Sequence, residues 1–167
     1  MKKQQKGFSL IELLIVVAII LIIAAIAIPN LLRSKMAANE SSSVGSLRTI
    51  NTAEVTYATA YPNVGYSPDL PSLTGVPATC ATTASQTAAC LIDGVLGNAT
   101  AAATAKSGYW FAYALNGAAG GINTAYTLNA APANAGTTGQ RFFFTDQTGV
   151  IRYGLTGAAT AASSAIQ

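Results

Sequence analysis

The chain has 167 residues, nine basic and six acidic side chains, a formal charge of +3 and no histidine. A mean hydropathy of +0.41 with only 9 % charged residues is too apolar for an ordinary soluble domain of this length. The basic excess is local: Lys2, Lys3 and Lys6 come first, and beyond them six residues of each sign remain, so the charge does not call for a nucleic-acid partner.

The first element is an apolar run. From Phe8 to Ile28 there are 21 residues with one ionisable side chain, Glu12. As a helix this run is about 31 Å long, close to the ~30 Å hydrocarbon layer of a bilayer. The three lysines before it act as a topogenic signal that keeps the N-terminus in the cytoplasm, opposed only weakly by Arg33 and Lys35 beyond the run. A cleavable secretory signal has a shorter apolar core, about 7–15 residues, followed by a small-x-small site. No convincing site of that kind intervenes here before Pro29-Asn30. A plain membrane anchor explains the length and the lysines but not Glu12, since a carboxylate at mid-bilayer costs on the order of 3 kcal/mol, less near an interface.

The stretch Lys6-Gly7-Phe8-Ser9-Leu10-Ile11-Glu12-Leu13-Leu14 resembles the leader junction of type IV pilins and type II secretion pseudopilins, and the likeness extends to about Lys35, including Pro29. The resemblance implies that a prepilin peptidase cuts between Gly7 and Phe8 and methylates the new amine of Phe8. Residues 1–7 are then a leader, and Glu12 is the assembly residue that meets the amine of a neighbouring subunit. Elementary electrostatics agrees. The new amine lies one helical turn from Glu12, and a carboxylate in the first turn is favoured by the helix dipole. A half-paired charge in lipid seeks a partner, which gives register to an otherwise uniform apolar surface. The alternative is that Glu12 simply caps its own helix.

Past Ile28 the pattern turns amphipathic. Val44, Leu47, Ile50, Ala53, Tyr57 and Tyr61 recur at spacings of three and four, which predicts one buried helical face over 29–61. Arg33, Lys35, Glu40 and Arg48 are assigned to the wetter surface between them. Pro29 removes one helical donor and is expected to act as a flexure point, a kink rather than a terminus. Pro62-Asn63 closes the element. The predicted helix thus runs from about 8 to 61, near 80 Å.

Residues 62–167 are expected to form a globular head. The segment 62–108 is rich in Ser, Thr, Ala, Gly and Pro and holds Cys80 and Cys90, which lie past the span and are exported with it. An exported isolated pair favours a disulfide over free thiols, at about 3 kcal/mol for a loop of this size. A sheet is expected over about 109–153: strands at 109–115, 125–129, 141–145 and 150–153, the last two joined by Asp146-Gln147-Thr148-Gly149. The tail 157–167 is small, polar and expected to be mobile. One long helix followed by about four antiparallel strands is an α+β plan with the helix on the sheet, and pilin heads share it. The segment from Gly139 to Arg152 resembles, more loosely, the last hairpin of bacterial pilin-like proteins.

No enzyme site emerges, and no cofactor or metal is expected. Without histidine, Ser-His-Asp and Cys-His catalysis are excluded. The acids Glu12, Glu40, Glu54, Asp69, Asp93 and Asp146 are scattered without a paired motif. The aromatic residues are read as core and sheet packing rather than an electron path. Two N-glycosylation triplets begin at Asn39 and Asn98, a motif short enough to recur by chance.

The resemblance implies a structural subunit that moves from the inner membrane into an extracellular filament of identical copies. A platform protein and a cytoplasmic ATPase would assemble it, for attachment, motility or DNA uptake. A type II secretion pseudopilin is the alternative within the superfamily. The C-terminal acidic cluster expected of a calcium-binding major pseudopilin is missing. A membrane-anchored binding module that never polymerises is the alternative from another class.

Overall fold

The structure, a computed structural model, describes residues 8–75, 80 and 84–166. It divides into two compact units, Met1–Lys35 and Met36–Gln167. Helix α1, Leu10–Ala60, contributes to both.

In the first unit every described residue is exposed except half-buried Ala24. The helix runs unbroken through Pro29, so the missing donor removes one helical hydrogen bond without ending the element. Leu and Ala favour the helix, the many β-branched Ile and Val favour it less, and no glycine interrupts the run from Phe8 to Lys35.

The second unit is organised by the inward face of residues 36–60 of α1. Leu47, Ile50 and Tyr57 are fully buried and Ala53 nearly so, the stripe expected from spacings of three and four. Val44 and Tyr61 pack at its two ends. On the outward face the hydroxyls of Thr49, Thr52, Thr56 and Thr59 donate to carbonyls four residues back at 2.8–3.0 Å, which satisfies the hydroxyls within the helix itself.

After the helix, a 3-10 turn at Pro71–Leu73 and a short helix α2, Gly94–Gly97, carry Leu73 and Leu96 into the core. Asp93 caps α2 by accepting from the Leu96 amide at 2.8 Å. Seven strands follow: β1 Tyr109–Leu115, β2 Ala118–Ala119, β3 Ile122–Asn123, β4 Tyr126–Pro132, β5 Phe142–Asp146, β6 Arg152–Gly154 and β7 Ser164–Ala165. The main sheet has the order β1-β4-β5-β6-β7, antiparallel throughout, while β2 and β3 form a small separate hairpin.

Alternation works best in β4, where Tyr126, Leu128, Ala130 and Pro132 point inward. In β1, Tyr109 and Phe111 are buried, but the inward series fades to exposed Leu115 at the strand end. The β5–β6 turn is the expected one. Asp146 Oδ1 accepts from the Thr148 amide at 2.9 Å, and Gly149 takes φ 74°, which a residue with a Cβ rarely adopts.

The main sheet has one strand more than the sequence signals. Ser164 and Ala165 pair with Tyr153 and Arg152, and Ala159 in the tail is 2 % exposed. Arg152 Nη1 donates to the Ser163 carbonyl at 3.0 Å, and the Ile166 amide bonds to the Ile151 carbonyl. Two residues of unremarkable composition leave no periodic trace, so only their hydrogen bonds reveal them.

Candidate functional site

Residues 8–32 present an apolar surface with nothing against it. Seventeen large apolar side chains from Phe8 to Leu32 are 46–79 % exposed. The 51-residue helix containing them is long and apolar enough to cross a membrane, with 0 % of its most apolar window buried. At roughly 1.5–3 kcal/mol per fully covered side chain, covering this surface is worth tens of kcal/mol. A surface this large requires lipid or protein against it.

The N-terminal end of that surface carries its only carboxylate. Glu12 Oε2 accepts from the Ser9 amide at 2.8 Å, while the amides of Glu12 and Leu13 donate to the Ser9 carbonyl. Ser9 and Glu12 thus stand as N-cap and third helical residue, half of a capping box. In the isolated chain Glu12 does cap its own helix. Because Glu12 and Phe8 are both exposed, the carboxylate is also open to an amine from outside. Gly7 lies outside the described residues.

A family model described as a prokaryotic N-terminal methylation motif matches residues 2–28. This segment contains Gly7, Phe8 and Glu12. Over this N-terminal part the chain is similar to type IV pilins. Among its relatives, the type IV wide pilus major component PilA4 of Thermus thermophilus is 59 % identical over 39 residues, 23 % of this chain and 30 % of the relative. The type IV major pilin protein PilA of Myxococcus xanthus is 44 % identical over 54 residues, 32 % of this chain and 24 % of the relative. The type IV major fimbrial protein FimA of Dichelobacter nodosus is 54 % identical over 52 residues, 29 % of this chain and 33 % of the relative. The chain therefore spans about a quarter to a third of the length of the curated relatives it matches. No solved structure matches it.

The second unit is held together by features only partly visible in sequence. Cys80 and Cys90 are bonded, with Cα atoms 5.6 Å apart. Gly75 lies so close that a Cβ there would collide with both sulfurs, which explains why this position is a glycine. The bonded segment is laid along the 3-10 turn by Ala89, Cys90 and Leu91 amides donating to Ser72, Thr74 and Leu73 carbonyls. Tyr57 of α1 donates its hydroxyl to the Gln86 carbonyl at 2.8 Å.

Glu40 does not lie on a wet surface as the sequence suggested. It is 7 % exposed, and its Oε1 accepts from the Gln140 and Arg141 amides at 2.8 and 3.2 Å. Its Oε2 accepts from Arg141 Nε at 2.7 Å. The Arg141 guanidinium lies 5.7 and 5.8 Å from the ring centroids of Phe143 and Tyr153. Burial by itself raises the Glu40 carboxyl, but the Gln140 amide and the donors of Arg141 outweigh it and hold it below the usual value.

Glu54 is the opposite case. It is fully buried, accepting from the Ser67 amide at 2.9 Å and the Ser67 hydroxyl at 2.5 Å. Tyr113 donates to the Ser67 carbonyl at 2.8 Å. Here burial prevails over the Ser67 and Tyr113 hydrogen bonds and pushes the carboxyl up. The signal for both acids was spacing. Glu40, Leu47 and Glu54 are seven residues apart, so both acids share the face of a core residue. Asn39 Nδ2 is likewise engaged, donating to the Thr138 carbonyl at 2.8 Å.

Proposed function

We propose that the chain is a structural subunit of a type IV pilus, held in the inner membrane by residues 8–28 and then polymerised through that helix into an extracellular filament. The observation that carries this reading is the coincidence of the methylation motif with a helical segment, residues 8–32, whose large apolar side chains are all exposed. A membrane anchor alone needs the apolar length. It does not need the Gly7-Phe8 junction or Glu12. The relatives named as major pilins favour a pilus over a secretion pseudopilus.

In this mechanism a prepilin peptidase cuts after Gly7 and methylates Phe8. The methylated amine stays protonated and gives Glu12 of a neighbouring subunit an ion pair. Before assembly the Ser9 amide satisfies one oxygen of Glu12, which lowers the cost of holding the carboxylate at the membrane edge. On assembly, van der Waals packing replaces lipid along the helix, and the charge pair selects one register from many. Pro29 is the point at which the rod flexes as it leaves the bilayer. The platform protein and assembly ATPase supply the work of extraction.

Mass spectrometry of the exported protein tests the reading. Phe8 should be the first residue and carry one methyl group. Replacing Glu12 with Ala should leave the subunit in the membrane fraction and abolish filaments in electron micrographs of sheared cells. An exported protein that keeps residues 2–7 and forms no assembly would overturn the proposal.

A further inference from the structure

The charges on either side of the apolar run are spaced like the faces of a bilayer. Between Glu12 and Arg33 lie twenty residues without an ionisable side chain. Because α1 is helical through Pro29, the 1.5 Å rise sets Glu12 and Arg33 about 31 Å apart along the axis, against ~30 Å of hydrocarbon. Lys35 follows about 3 Å farther on. Both cations are exposed.

Two observations make this pair anomalous as mere surface charge. No Asp or Glu occurs between Glu12 and Glu40, and Glu40 is committed to Arg141. Among the described residues the only ion pairs are Lys106–Asp93 and Arg141–Glu40, so neither Arg33 nor Lys35 has a partner. Their side of the span is also the one where membrane proteins avoid basic residues. Once residues 1–7 are removed, these cations are the only basic side chains flanking the span. A position that works against topology and has no carboxylate partner among the described residues favours an external anion.

We propose that Arg33 and Lys35 bind anionic phospholipid headgroups of the outer leaflet and set the depth of the helix, so that Glu12 rests at the inner edge of the hydrocarbon layer. The two residues project about 200° apart around the helix, forming a collar that engages headgroups whichever way the helix is turned. Their alkyl stems can run along Leu31 and Leu32 while the charged ends reach the phosphate layer. Held at this depth, Glu12 avoids the mid-bilayer penalty and meets an incoming amine in the plane of the inner interface. The inference rests on the membrane-held reading above and adds the lipid class and the residues that recognise it.

The full chain and its R33Q/K35Q variant, processed to begin at Phe8, would be reconstituted in mixed phosphatidylglycerol and phosphatidylcholine vesicles. Native mass spectrometry after detergent release then counts retained lipids. The native chain should retain phosphatidylglycerol over phosphatidylcholine by about fivefold per cation, and the double variant should show no preference. R48Q, which lies beyond the collar, should behave as the native chain.

A bimane label on Ser9→Cys, the only free thiol beside the disulfide, reads depth against spin-labelled lipids. Removing the collar should shift it by on the order of one helical turn, about 5 Å. Equal retention by native and double-variant chains, or an unshifted label, overturns the proposal even if the chain is fully inserted. Loss of filaments with unchanged lipid preference would do so too, assigning the two cations to contacts between subunits. A chain that washes from the vesicles in alkaline carbonate overturns both this inference and the membrane-held reading.

Discussion

Glu40 and Glu54 lie two helical heptads apart on one face of α1, yet their surroundings drive them in opposite directions. Glu40 meets two amides and a guanidinium, so its ionised form is favoured in the fold. A carboxyl depressed in this way contributes stability that is complete above its unfolded pKa, about 4.3, and is lost as pH falls through the lower folded value. Glu40→Gln should therefore cost about 1–3 kcal/mol near neutrality, nearer the low end because the Arg141 side chain is 40 % exposed. The difference from the native chain should shrink in acid. Glu54 is pushed up by burial, so its penalty appears as pH rises past the unfolded pKa toward the folded one. Glu54→Gln should gain stability relative to the native chain over that rise. Thermal melts in mild detergent across the acid-to-neutral range check both signs, and parallel behaviour of the two variants would contradict the assignments.

At the scale of elements, periodicity made the helix and the inner sheet legible. The stripe from Val44 to Tyr61 is the face that packs, because spacings of three and four admit no other side of a helix. Strand β1 coincides with its predicted limits, since Tyr109, Phe111 and Tyr113 alternate with residues pointing away. Strand β4 runs three residues past the predicted Asn129, through Ala130, Ala131 and Pro132, which carry little strand propensity but pair with β1 across Tyr109 to Phe111. The β2–β3 hairpin and β7 leave no signal in the sequence because strands of two residues have no period.

Phe143 illustrates what the inner sheet supplies. It is fully buried, pairs with Ala130 and Tyr153, and packs its ring 5.8 Å from Tyr109. Phe143→Ala should cost about 3–5 kcal/mol, read from the midpoint of urea unfolding. Cys80→Ser with Cys90→Ser removes a short loop closure instead, and should cost about 3 kcal/mol without disturbing the strands as seen by far-ultraviolet circular dichroism.

For the whole molecule, the two units have different requirements. The unit Met36–Gln167 contains the complete buried core, and its mean needs are those of a small globular domain. The unit Met1–Lys35 has no buried residue among those described. A fragment of residues 36–167 should remain monomeric without detergent in sedimentation velocity, whereas the chain from Phe8 onward should require detergent or assemble. Detergent-free aggregation of the fragment would show that the core does not suffice.

The apolar helix over residues 8–35 could be read from the sequence, because the relevant physics is one-dimensional: an apolar length and the axial positions of its few charges. The head could not. Glu40 meets Arg141 across a hundred intervening residues, Glu54 meets Ser67 beneath Tyr113, and a two-residue strand completes the sheet. Whether an acid on an amphipathic helix faces water or a buried donor depends on what the rest of the chain brings against it, and no local pattern records that.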